Sequence, residues 1–95
     1  MPSTKNIDYM MQMTHDFITG EINPISYDLD FSYEIELRFK AMRREHRELA
    51  DLIYDRLYED GIAKMHEENL SGEAFKKLIE KQYQDILSII EEGFC

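Results

Sequence analysis

One segment decides the fold class. Tyr27, Leu29, Phe31, Tyr33, Ile35, Leu37 and Phe39 alternate with polar residues across 13 positions. A period of two is the signature of a strand. Yet no second alternating run occurs in the chain, and a lone strand leaves its backbone groups without a ladder partner. The same residues also satisfy a helix. Tyr27, Phe31, Ile35 and Phe39 make an unbroken i,i+4 row, and Leu29, Tyr33 and Leu37 make another. Glu36 precedes Lys40 by four positions, a favourable helical pair. Helix is therefore the expected state. With apolar groups on so much of its circumference, this helix is expected to be the central and most buried one. Were the segment a strand, it would pair with its own copy across a two-fold axis.

The flanking sequence reads as further helices. Ile7, Met10, Met11, Phe17 and Ile18 recur at helical spacing, with Asp8 in the first turn and Gly20 after the last apolar pair, giving a helix over about 6–19. Asn23-Pro24 restarts the chain as cap and first helical residue. No Gly or Pro interrupts residues 25–60. A straight helix of that length would run about 54 Å, against a radius of gyration of about 12 Å for a domain this size. A break is therefore expected in the basic, apolar-poor stretch Arg43–Arg47. A third helix follows on Leu49, Ile53 and Leu57, with Ala50 and Leu52 beside them, and is expected to end at Gly61. Residues 62–70 read as a connector with one helical turn around 63–67. Ser71 caps the last helix, whose buried stripe is Phe75, Leu78, Ile79, Gln82, Ile86, Ile89 and Ile90, and Gly93 ends it. The expectation is a single all-α domain over 1–95, a small four-helix bundle, with residues 1–5 and 93–95 frayed.

Charge restricts the function classes. The chain of 95 residues holds 20 acidic and 11 basic residues, a net −9. Residues 1–37 carry seven acids and one Lys, residues 48–95 carry twelve acids and five basic groups, and Arg38, Lys40, Arg43, Arg44 and Arg47 lie between them. A negative protein is repelled by nucleic acid and by anionic membranes, and attracts basic partners. The basic segment itself reads as a neutraliser of the acids beside it. No apolar run reaches the roughly 20 residues of a membrane span. The N-terminus lacks the pattern of an export signal, and the single Cys95 forms no internal disulfide, so a cytoplasmic location is expected.

Chemistry-bearing constellations are lacking. His15, His46 and His66 fall in different elements without metal-motif spacing, so neither metal nor cofactor is expected. Cys95 has no positional link to a histidine, and among so many carboxylates no acid–base pair stands out. The Met residues at 10, 11 and 13 read as core filling rather than a binding groove. One cluster does stand out. Glu48, Asp51, Asp55 and Glu59 recur at spacings of three and four, with Asp60 beside them, and like charges in one row weaken a helix. Tyr54 and Tyr58 lie one row away. Tyrosines beside a charged rim make good interface anchors. The plain alternative is that they are partly buried core edges. The candidate binding residues are therefore Glu48, Asp51, Tyr54, Asp55, Tyr58 and Glu59.

The stretch Phe17-Ile18-Thr19-Gly20-Glu21-Ile22, the aromatic-rich helix through Phe31 and Phe39, and Leu70-Ser71-Gly72-Glu73-Ala74-Phe75 before the last helix resemble the bacterial self-protective colicin-like immunity family, which includes colicin D immunity proteins and antitoxins of contact-dependent inhibition systems. The resemblance spans roughly residues 8–90. Asp51-Leu52-Ile53-Tyr54 is also similar to a short motif of E-type colicin immunity proteins, in which acids and tyrosines bind the nuclease. Here Asp55 stands where a second tyrosine would follow, and the proline ending that short helix is absent. The resemblance implies a small helical inhibitor, not an enzyme, that binds a basic nuclease toxin, an RNase, and blocks access of RNA. The chain is expected to be a monomer or weak homodimer. The rival reading is a helical structural or adaptor protein that self-associates through residues 27–39.

Overall fold

A computed structural model describes residues 3–93. The thiol of Cys95 and the outermost residues expected to fray lie outside them, while Lys5 is already helical. Among the described residues the chain is all-α, with no strand. It forms α1 (Lys5–Ile18), α2 (Pro24–Glu45), α3 (Arg47–Ile53), a π-helix (Tyr54–Ala63), α4 (Lys64–Glu68) and α5 (Gly72–Glu92). Backbone angles stay helical at Tyr54, Ala63 and Lys64, so α3, the π-helix and α4 form one uninterrupted rod. The four rods make a small bundle with a radius of gyration of 12.7 Å.

Local chemistry sets most of the boundaries. Gly20 adopts φ +92 past the end of α1, and the N–H of Glu21 reaches the carbonyl of Asp16 at 2.8 Å, the wrap-around closure that favours glycine. The Asn23 side chain accepts the Ser26 N–H at 2.8 Å, with Pro24 as the first residue of α2. Ser71 caps α5 by accepting the Ala74 N–H at 3.2 Å. The break expected between Arg43 and Arg47 falls at His46, which is extended (φ −161, ψ 99). Its Nδ1 accepts the Leu49 N–H at 3.2 Å and so caps α3.

Gly61 does not end the third rod, contrary to expectation. It lies inside the π-helix, where a Cβ would stand only 2.6 Å from Cδ1 of Ile79 on α5. Its missing side chain serves close approach of two helices rather than a turn. The rod runs on through the expected connector and ends at Asn69, in the left-handed region at φ 52. There the Leu70 N–H bonds the Met65 carbonyl at 3.0 Å and the Asn69 N–H that of His66 at 3.4 Å.

The core gathers Ile7, Met10, Met13 and Phe17 of α1, Tyr27, Phe31, Ile35 and Met42 of α2, Ala50, Ile53, Leu57 and Ile62 of the third rod, and Phe75, Ile79 and Ile86 of α5. At one end Phe17 stacks on Tyr27 with ring centroids 4.4 Å apart, and Phe75 lies 5.1 Å from Phe17. The Thr14 hydroxyl donates to the Met10 carbonyl at 3.0 Å, so the buried Tyr27 hydroxyl, 2.8 Å away, donates to Thr14. Burial pushes the Tyr27 phenol far above its usual range.

The second helix is long, but only one face is buried. The row Tyr27, Phe31 and Ile35 is fully enclosed, whereas Leu29, Tyr33 and Leu37 are 64, 66 and 61% exposed and Ile25 is 75% exposed. Two rows offset by two residues lie about 200° apart on a helix, so a peripheral helix can bury only one of them. The expectation of burial around most of the circumference is corrected accordingly.

Candidate functional site

The acidic cluster sits on α3 and the π-helix. Glu48, Asp55, Glu59 and Asp60 are exposed, and Asp51 is half-buried. Asp51 is engaged within the chain, with an Oδ 3.1 Å from Nε of Arg43 on α2. Among the described residues no cation comes within ion-pair distance of Glu48, Asp55, Glu59 or Asp60. The segment bonds i to i+5 as a π-helix, and Glu59 lies near enough to Tyr54 for its charge to act on that phenol.

Tyr54 and Tyr58 are half-buried and pack against the edge of the core. The Tyr54 ring lies 4.9 Å from Phe39 and 5.2 Å from Tyr58. Burial, together with Tyr58, Glu59, Glu36 and Asp55, raises the Tyr54 phenol above its usual range, so it stays a neutral hydrogen-bond donor. The tyrosines are thus both core edge and surface, lying among carboxylates. Sequence reading missed Glu36 as a neighbour of this cluster. Its spacing from Phe39, which packs on Tyr54, was the available signal.

The basic segment is partly spent inside the chain. Arg38 Nε is 3.0 Å from Glu34, its terminal nitrogen donates to Asn6 at 2.8 Å, and its guanidinium covers the Tyr9 ring at 3.8 Å. Arg43 holds Asp51. This is the neutralising role expected for it. His66 bonds Asp28 at 2.9 Å, tying α4 to α2.

A cleft of about 520 Å³ opens between the starts of α2 and α5, beside Met65, Leu70 and Phe75. Asp28 is the one titratable side chain lining it, and that carboxylate is held by His66. Among the described residues no group of three His, Cys, Asp or Glu could hold a metal, and no helix is long and apolar enough to cross a membrane. No protein-family model, curated protein or solved structure matches the chain. The likeness to immunity proteins therefore rests on the residues quoted for it.

Proposed function

We propose that this chain is an immunity protein, a cytoplasmic inhibitor that binds a basic nuclease toxin, an RNase, and blocks its access to RNA. The observation that carries the reading is the set of exposed carboxylates, Glu48, Asp55, Glu59 and Asp60, which have no ion-pair partner among the described residues and surround the half-buried Tyr54 and Tyr58. Carboxylates in such a group stand in for phosphates, so the lysines and arginines that would hold RNA bind the inhibitor instead. Asp55 and Glu59 contact the partner's cations. Tyr54 and Tyr58 supply rigid, low-entropy area between them. Asp51 orients through Arg43 and contributes less. The inhibitor makes and breaks no covalent bond.

The test is a tagged capture from the native host, washed at low and then high salt. A basic nuclease that co-purifies supports the reading. Its release at high salt assigns the affinity to the carboxylates, and its retention assigns it to the tyrosines. Recovery of no nuclease, with the toxin shown to be expressed, contradicts it.

A further inference from the structure

We propose that the exposed face of α2 binds a second copy of this chain, with α2 antiparallel to α2 about a two-fold axis passing between Tyr33 and Leu37. The proposal goes beyond the inhibitor reading and does not rest on it. Leu29, Tyr33 and Leu37 stand 64, 66 and 61% exposed in one row along an intact helix. Ala41 continues the row as a small, half-buried residue. Such an i±4 ridge is one of the elements by which helices interlock, and at the shallow crossing of about 20° the contact runs along several turns.

The polar residues on this face select the occupant. Asp30, Lys40 and Arg44 are exposed, and none of them has an ion-pair partner among the described residues. The acid lies toward the start of the helix and the cations toward its end. About an axis between residues 33 and 37, antiparallel copies bring residues whose numbers sum to 70 opposite each other. Tyr33 then meets Leu37, Leu29 meets the small Ala41, Asp30 meets Lys40 and Ser26 meets Arg44. Every contact occurs twice, as a two-fold interface requires. A strongly basic partner gains nothing from Lys40 and Arg44, whereas a second copy uses them. Adding Glu36 at the rim, the face holds two acids and two cations, so it lacks the repulsion that net −9 imposes elsewhere.

Leu29, Tyr33 and Leu37 are three exposed apolar side chains, against the roughly 20–30 residues per side of a standard stable interface. The dimer is accordingly weak, forming at concentrations above the micromolar range. The association uses the outer row of the 27–39 segment. Tyr27, Phe31 and Ile35 are enclosed in the monomer core and take no part.

Sedimentation equilibrium of the full chain, from micromolar to about millimolar concentration, tests this. The expected result is a mass rising with concentration toward twice 11.4 kDa. Tyr33→Glu should stay monomeric. Lys40→Asp and Asp30→Lys should each weaken association by about tenfold or more, since each places like charges opposite one another twice. The double variant Asp30→Lys/Lys40→Asp should associate again. All of these side chains are exposed, and unchanged circular dichroism melting would establish that the variants are folded. Wild type remaining at monomer mass throughout would overturn the proposal. So would dimerisation that survives Tyr33→Glu, or single charge reversals without effect. A monomeric wild type that binds a nuclease through Tyr33 would assign the stripe to that partner instead and equally overturn it.

Discussion

The Glu45 carboxylate at the end of α2 closes the first turn of α1, accepting the Ile7 backbone N–H at 3.0 Å. It also accepts the Asn6 backbone N–H at 3.1 Å and the Asn6 side-chain amide at 2.6 Å. Thr4, the residue at the α1 N-cap, makes no side-chain capping bond itself. The cap is therefore supplied from another helix, and it fastens the two together. A carboxylate at a helix N-terminus also meets the positive end of the helix dipole.

Replacing Glu45 by Ala should cost about 1–2 kcal/mol, the value of a lost cap whose orphan donors face a partly buried seam. The pH dependence has a definite sign. Burial acts to raise the Glu45 pKa, but the bonds from Ile7 and Asn6 and the nearby Lys5 charge outweigh it and leave it below the ordinary 4.5. A depressed folded pKa contributes stability above the unfolded value, and that stability is lost as pH falls through the folded one. Urea melts should therefore show a constant gap between wild type and Glu45→Ala at neutral pH, narrowing below about pH 4.5. A gap that widened in acid would refute the assignment.

Thr14 and Tyr27 should respond unequally to removal of their shared bond. Thr14→Val leaves the buried Tyr27 hydroxyl without a partner and should cost about 1–3 kcal/mol. Tyr27→Phe removes that donor while Thr14 keeps its bond to Met10, and should cost about 1 kcal/mol or less. Urea midpoints at unchanged m-value measure both.

Gly61 separates packing from propensity. Alanine should gain about 1 kcal/mol of helix propensity and lose about 1–3 kcal/mol by crowding Cδ1 of Ile79. The net expectation is a loss of roughly 1 kcal/mol. Ile79→Val removes the crowded methyl, so Gly61→Ala/Ile79→Val should be more stable than the two single effects add to. Additivity would mean the contact is relieved elsewhere.

Reversing Asp55 and Glu59 to Lys should leave stability within about 0.5 kcal/mol, because both side chains are exposed and have no ion-pair partner among the described residues. It should nonetheless abolish binding of a basic nuclease. Thermal melts and a binding titration on the same sample separate the two effects.

The parts of the fold legible in sequence are those fixed by local chemistry. Gly20, Asn23-Pro24 and Ser71 mark helix ends through bonds spanning only a few residues, and length alone demanded a break near His46. Gly61 misled because glycine's permissiveness serves both turns and close helix approach, and only the position of Ile79 decides between them. The Glu45 cap bridges residues 39 apart in sequence and leaves no local pattern. The two apolar rows of α2 were visible as rows. Which one faces inward depends on where the other helices pack. The candidate acids were legible as a cluster, whereas the diversion of Asp51 to Arg43 was not, because α2 and α3 meet only after the turn at His46.

Inhibition of a nuclease through the carboxylates around Tyr54 and Tyr58 can be read out in one assay. The direct measurement is RNA cleavage by the purified partner, titrated with wild type and with Asp55→Lys/Glu59→Lys. Cleavage should stop at about one equivalent of wild type and continue with the folded double variant. Cleavage that persists in saturating wild type, or that both proteins stop equally, would contradict it.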